Sequence, residues 1–285
     1  MQAIIIGNGS IGKRYHRILQ KMNISVRVVD IDEKDKVDDI LNSTKYDFGL
    51  VCTPNCFHLE HVFSLCKAGI PFLCEKPLYV TRGKHLLKNI LELVETKKLI
   101  NMISCNLRFQ RNIKNVTPEL LNKAIAAEAR FGYDLSKWHC DGKHLQLYSA
   151  NKSMDGGVTF DCIHEFDYLY SWFGSIRNMS LVQKKISNVT VDTEDLLLGV
   201  VNFENGVQAK IKLDYLEPVY TRYCILYFKD GTRQKIQLEM SNDTHYQEQI
   251  EYFIDNIKNN IKCMNNITEA SYLIEKIDKG IVERI

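Results

Sequence analysis

Residues 1–12 read MQAIIIGNGSIG, and the fold turns on how they are read. Ala3 to Ile6 is a short apolar run rich in β-branched side chains, which predicts a strand. The run stops at Gly7-Asn8-Gly9-Ser10-Ile11-Gly12, a G-x-G-x-x-G pattern, and Lys13 to Met22 predicts a helix. In that context each glycine has its own task. Gly7 permits the tight turn, Gly9 lets the backbone approach a pyrophosphate, and Gly12 lets the helix lie close to the strand. The free N–H groups that open the helix, at Ser10 and Ile11, then face the phosphates with the positive end of the helix dipole behind them. Ser25 to Val29 predicts a second strand, and it ends at Asp30, 18 residues after Gly12. That is close to the ~20-residue spacing of the acid that binds the adenosine ribose of a dinucleotide. A carboxylate there accepts from both ribose hydroxyls and repels a 2′-phosphate, which favours NAD over NADP. Arg14, Arg17 and Arg27 keep NADP open, and Asp30 can also simply start the loop Ile31-Asp32-Glu33.

At 285 residues the chain has room for one large domain or two ordinary ones. Hydrophobic residues at 45% and charged residues at 25% are those of a globular protein, so a packed core is expected. The 37 basic and 35 acidic residues leave a net charge of +2, which argues for neither nucleic acid nor a membrane surface as partner. No run approaches ~18 uninterrupted apolar residues, so no membrane span is expected, and no signal peptide is apparent. The nine cysteines form no C-x-x-C pair. Buried free thiols in a reducing cytosol are the simplest account, and no metal site is expected.

Further along, Asp35 to Asn42 predicts a helix and Asp47 to Cys52 a strand, which Pro54 ends. His58 to Ala68 predicts a helix closed by Gly69, and Pro71 to Cys74 a short strand that runs into Glu75-Lys76-Pro77. Thr81 to Thr96 predicts a long helix, and Leu99 to Cys105 a strand leading into Asn106-Leu107-Arg108-Phe109. Strand and helix therefore alternate over the first ~110 residues, the pattern of a doubly wound parallel sheet. After that the pattern changes. Ala124 to Tyr133 fits helix or strand. Val158 to Phe173 predicts one helix behind Gly156-Gly157. Ile176–Ile186, Asp195–Phe203, Val207–Leu213 and Tyr223–Phe228 predict strands, with hairpin turns at Glu204-Asn205-Gly206 and Lys229-Asp230-Gly231. Tyr246 to Ile261 and Thr268 to Ile285 predict closing helices. The expected class is α/β: a dinucleotide-binding domain over residues 1–120, then an α+β domain with an antiparallel sheet over 121–285.

Five pieces carry a resemblance. They are GNGSIG at Gly7–Gly12, TPNCFH at Thr53–His58, AGIPFLCEKPL at Ala68–Leu78, NLRF at Asn106–Phe109, and GGVTFDCIHEFDYLYSWFG at Gly156–Gly174. In content and order they resemble the Gfo/Idh/MocA oxidoreductases. The resemblance implies NAD(P)-dependent hydride transfer at a hydroxyl or keto carbon of a sugar, cyclitol or nucleotide sugar. It also implies an N-terminal Rossmann domain with a doubly wound parallel sheet, an open, mainly antiparallel C-terminal sheet, and homo-oligomers built on that sheet. Thr53, Pro54, Asn55 and His58 resemble the family's cofactor loop, although Asn55 or His58 can instead cap the next helix. Glu75 resembles a contact to the nicotinamide ribose; a surface acid is the other reading. The His-Glu-Phe-Asp-Tyr form, with Tyr148-Ser149-Ala150 ahead of the double glycine, resembles a subgroup tied to bacterial surface-sugar pathways.

Alcohol oxidation needs a base for the hydroxyl proton and a cation or donor for the developing alkoxide. Lys76 follows a strand end and precedes Pro77, so it can orient the substrate hydroxyl and help move its proton; a solvated surface lysine is the plain alternative. Asp161, His164 and Asp167 recur every three residues, which places them on one face if the helix is continuous. One carboxylate then orients the imidazole while its other nitrogen meets substrate. Many family members place the aspartate four residues before the histidine, whereas here the gap is three. Arg108 reads as a substrate or cofactor-phosphate contact or as a partner of a surface acid. Trp138-His139, Lys143-His144 and Tyr148 lie where substrate loops often do. Two other classes fit the same residues: a regulatory or scaffold protein that binds the dinucleotide without turnover, and a redox-neutral sugar enzyme that recycles bound NAD.

Overall fold

The computed structural model describes residues 1–138, 148–188 and 191–284. In chain order its first elements are β1 (Gln2–Ile6), α1 (Ser10–Lys21), β2 (Ser25–Val29), α2 (Val37–Ser43), β3 (Phe48–Val51), α3 (His58–Ala68), β4 (Phe72–Cys74), α4 (Leu87–Lys97) and β5 (Asn101–Ile103). Next come α5 (Arg111–Lys114), α6 (Pro118–Leu121), β6 (Ala124–Gly132), α7 (Leu135–Trp138), α8 (Val158–Asp161) and α9 (His164–Phe173). Strands β7 (Ile176–Lys184), β8 (Leu196–Phe203), β9 (Gln208–Asp214), β10 (Thr221–Phe228) and β11 (Arg233–Gln237) follow, then α10 (Asp243–Asn259), α11 (Ile267–Gly280) and β12 (Ile281–Arg284).

The chain divides into two compact units. One is Met1–Asn106 with Asn242–Ser271, the other Leu107–Ser241 with Tyr272–Ile285. The division read at residue 120 thus falls at 106, and α10, read as part of the second domain, belongs to the first unit. In that unit five parallel strands run in the order β2-β1-β3-β4-β5. β1 lies between β2 and β3, and Ala3 to Ile6 are buried, as an unbroken apolar run in a parallel sheet demands. The order reverses between β1 and β3, so the ligand crevice of such a sheet lies beyond the carboxyl ends of these two strands. Helix α10 buries Tyr246, Gln249, Ile250, Phe253 and Ile254. Phe253 meets Phe48 of β3 edge to face at 5.9 Å, and Tyr246 meets Tyr15 of α1 at 5.5 Å.

The second unit carries a seven-stranded sheet in the order β11-β10-β6-β9-β8-β7-β12. Four of its pairings are antiparallel and two, β6–β9 and β7–β12, are parallel. Alternation along β8 buries Leu197, Val201 and Phe203, while Leu198 and Val200 are each 40% exposed on the other face.

Four sequence expectations change here. The helix read from Thr81 begins at Leu87, because Gly83 takes φ +72° and opens a separate turn over Lys84–Leu86. Ala124–Gly132 is a strand held on both sides, which settles an alanine-rich segment that fits either period. Val158–Phe173 is two helices, broken where Cys162 leaves helical geometry (φ −102°, ψ 35°). The last helix stops at Gly280, and Ile281–Arg284 pairs with β7 as a strand.

Candidate active site

In the first unit, the turn after β1 is built by contact. Gly7 has φ +104°, and a Cβ there would lie 2.6 Å from the Cys52 carbonyl carbon. A Cβ on Gly12 would lie 2.0 Å from the Gly7 oxygen, so the second turn of the motif presses α1 onto β1. Gly9 differs: it is extended (φ −71°, ψ −166°), and a Cβ there meets nothing within 4 Å. Its oxygen accepts from Lys13 N at 3.0 Å, closing the first helical turn. The N–H groups of Ser10 and Ile11 precede that turn and point outward along the helix axis. A cavity of about 490 Å³ opens here, lined by Gly7, Gly9, Asp30, Thr53, Pro54 and His61 among others.

Asp30 ends β2 at the cavity. Its Oδ1 accepts from Ile31 N at 2.8 Å and its Oδ2 from Asn8 Nδ2 at 3.1 Å. It therefore starts the following turn and also presents a carboxylate to the crevice. Arg27 pairs with Glu33 at 2.5 Å, and Arg14 and Arg17 pair with Asp243 at 3.0 and 3.6 Å. The three arginines that keep NADP open in the sequence are thus each engaged with an acid. Thr53 Oγ1 is buried on the cavity wall with no hydrogen-bond partner among the described residues. An open cradle at Gly9, a carboxylate at the β2 terminus and a buried hydroxyl lacking a partner together fit a dinucleotide.

The cofactor loop is tied to the Glu-Lys-Pro segment. His58 is fully buried, with Nδ1 2.7 Å from the Pro77 carbonyl and Nε2 2.9 Å from that of Thr53. Neither Asn55 nor His58 caps α3. Glu75 is buried rather than a surface acid, and Tyr15 donates to its Oε1 at 2.9 Å. Burial raises its carboxyl above the usual range, against the opposing pull of Lys76 and of hydrogen bonds from Tyr15 and Ser104. Lys76 is half-buried and precedes Pro77 through a cis peptide bond.

In the second unit, the expectation that Asp161, His164 and Asp167 share one helix face fails at the Cys162 break. Asp161 closes α8, whereas His164 opens α9. Asp161 accepts three hydroxyls: Tyr148 at 2.7 Å, Ser149 at 2.8 Å and Tyr215 at 3.1 Å. It fastens the turn Tyr148–Ala150, and Gly156 lets that turn close, since a Cβ there would lie 2.0 Å from the Tyr148 oxygen. Tyr148 is half-buried, and His164 is 7% exposed. Asp167 takes a two-pronged pair from Arg108, Nε at 2.8 Å and a terminal nitrogen at 2.7 Å. Arg108 thus pairs with an acid, but a buried one rather than the surface acid the sequence suggested. Trp138 ends α7, and its side chain lies outside the described residues, as do His139, Lys143 and His144.

Sequence reading missed Tyr15, Ser104 and Gln249, which surround Glu75, and Glu165, which pairs with Arg222 of β10 at 2.7 Å. Gln249 had a signal: a polar residue on the apolar stripe of α10. Glu165 had none, because its partner lies 57 residues away. Among the described residues no group of metal-binding side chains converges, and no helix is long and apolar enough to cross a membrane.

Comparison with known proteins agrees with this geometry. Inositol 2-dehydrogenase of Corynebacterium glutamicum is 23% identical over 182 residues, covering 63% of this chain and 51% of that protein. The match thus spans about half the length of that curated relative. Among solved structures, GenD2 from gentamicin A biosynthesis, in complex with NAD, superposes with a TM-score of 0.80 at 15% identity, over 99% of this chain and 93% of that one. UDP-N-acetylglucosamine 3-dehydrogenase GnnA from Acidithiobacillus ferrooxidans gives 0.77 at 16% identity, over 99% and 97%. At such identities these superpositions show a shared fold. Residues 1–104 match the model of the Gfo/Idh/MocA family, described as an oxidoreductase family with an NAD-binding Rossmann fold.

Proposed function

We propose that this protein is an NAD-dependent oxidoreductase that moves hydride between the cofactor and a hydroxyl or keto carbon of a sugar or nucleotide sugar. The observation that carries the reading is the cradle at Gly9, open where the glycines on either side are closed by contact, at the start of α1. The N–H groups of Ser10 and Ile11 would hold the pyrophosphate, and Asp30 the adenosine ribose. Thr53, Pro54, Asn55 and Glu75 would line the remainder of the cofactor's path, with His58 fixing the loop from behind. The bound nicotinamide supplies the hydride acceptor or donor.

Lys76 orients the substrate hydroxyl and stabilises the charge that develops on its oxygen. His164 takes or gives the proton. Asp161 shapes the substrate side by holding Tyr148 and Ser149 in place. Several matched structures bear names of enzymes that act on inositols or a nucleotide sugar, which supports that substrate class. The His-Glu-Phe-Asp-Tyr segment supports a place in surface-glycan biosynthesis, and the eight cysteines among the described residues, all buried and free, support a cytoplasmic setting. The exposed Leu198 and Val200 support a homo-oligomer formed on the outer face of the seven-stranded sheet.

The test is nicotinamide absorbance with a panel of sugars and nucleotide sugars, NAD and NADP in both redox states, for wild type and Lys76→Ala. Turnover of one compound with NAD, reduced at least ~100-fold in Lys76→Ala while NADH binding stays within a few-fold, is expected. Undiminished turnover in the variant overturns the role of Lys76.

A further inference from the structure

Gln249 lies on α10, far along the chain from the Glu-Lys-Pro segment, yet it is fully buried in the same unit and bonded toward it. Its Oε1 accepts from Cys105 N at 2.7 Å. Its Nε2 donates to the Tyr15 oxygen at 2.8 Å and to Ser104 Oγ at 3.2 Å. The direction of this chain is fixed at its far end. A backbone N–H can only donate, so the amide oxygen of Gln249 must face Cys105 and its NH₂ group must face the two hydroxyls. Each hydroxyl then receives a hydrogen on its oxygen and has its own hydrogen left to pass on. Tyr15 passes it to Glu75 Oε1 at 2.9 Å, while the Ser104 hydroxyl also lies 3.5 Å from Gln249 Oε1.

The groups around Glu75 come from every element that packs on it. Tyr15 comes from α1, and Tyr246 and Gln249 from α10, with the Arg14 guanidinium 4.8 Å from the Tyr246 ring centre. Cys52 follows β3, Cys74 ends β4, and Ser104 follows β5. Lys76 is the cationic neighbour on its own segment. Burial works against a charged Glu75. The donor chain from Gln249 through Tyr15 and the ammonium of Lys76 work for it.

Building on the role assigned to Lys76 above, we propose that Gln249 and Tyr15 are positioning residues: their one-way donor chain holds Glu75 as a hydrogen-bond acceptor, and so as the counter-charge that keeps Lys76 an ammonium. Gln249→Leu removes the head of the donor chain without adding a charge. Tyr15→Phe removes the link while retaining the ring that packs on Tyr246.

The experiment is trace acylation of Lys76 in the full chain with sulfosuccinimidyl acetate across an alkaline pH series, read by peptide mass spectrometry. It needs neither substrate nor turnover. Glu75→Gln sets the reference: removing the counter-charge moves the midpoint of Lys76 reactivity down by about 1 pH unit. Gln249→Leu and Tyr15→Phe are expected to move it in the same direction. A midpoint unchanged in both, or unchanged in Glu75→Gln, overturns the proposal. Absence of hydride transfer would count against the function reading alone, because the labelling midpoints stand without it.

Discussion

Gly9→Ala and Gly12→Ala separate binding from folding within one motif. Gly9 already has a backbone conformation open to alanine, and its Cβ meets no atom within 4 Å. Alanine is a poorer N-cap than glycine by roughly 0.5–1 kcal/mol. Against that, it reduces the freedom of the unfolded chain by about 0.4–1 kcal/mol. The two effects nearly cancel, so Tm is expected to stay close to wild type. The new methyl group, however, occupies the space through which a pyrophosphate reaches the N–H groups of Ser10 and Ile11. Loss of one hydrogen bond to a charged phosphate removes about 1.5–3 kcal/mol. That corresponds to roughly a 10- to 150-fold rise in the Kd for NADH. Gly12→Ala has the opposite profile, because its Cβ would sit 2.0 Å from the Gly7 oxygen and α1 must shift. Such overpacking destabilises by about 1–3 kcal/mol. The assays are NADH titration by fluorescence and thermal unfolding, run on both variants. NADH affinity in Gly9→Ala equal to wild type would refute the placement of the pyrophosphate.

Two further outcomes concern stability. His61, on the cavity wall, has its pKa lowered to about 4, first by burial and then by His58, with Asp38 opposing. Its folded pKa lies below the unfolded value of about 6.5, so its contribution is present above that pH and is lost as pH falls toward 4. His61→Gln should remove about 2 kcal/mol of this acid loss after allowance for partial exposure, measured by urea unfolding at a series of pH values; an identical pH slope in both proteins contradicts the assignment. Glu165 and Arg222 form a buried pair at 2.7 Å. Glu165→Leu alone should destabilise by about 3–5 kcal/mol by stranding the guanidinium, and adding Arg222→Met should restore most of it. Additive losses in the double variant, read from chemical unfolding, would show that the two do not act as a pair.

What was legible in the sequence was what local chemistry alone determines. The glycine fingerprint, the acid closing β2 and the hairpin glycines each answer to a requirement met within a few residues. Element ends were less legible where no Gly or Pro marks them, as at Cys162, where one expected helix becomes two. Ala124–Gly132 was ambiguous because alanines satisfy either period, and only its partners β9 and β10 make it a strand. The segments read as site loops were identifiable by motif, but the partners of their side chains were not. Asp161 was read as the aid to His164 and is held by Tyr148, Ser149 and Tyr215. Arg108 was open between ligand and acid and is paired with Asp167. Glu75 depends on Gln249, 174 positions later, which only the return of α10 to the first unit brings near.

The central claim is hydride transfer between nicotinamide and a sugar carbon. The most direct measurement is mass spectrometry of keto sugars and nucleotide keto sugars incubated with the protein and NADH stereospecifically deuterated at C4 of the nicotinamide. The account predicts one carbon-bound deuterium in one product, from one face of the ring only, with the label greatly reduced in Lys76→Ala. NADH that binds tightly yet gives no deuterium to any compound of the panel would contradict it.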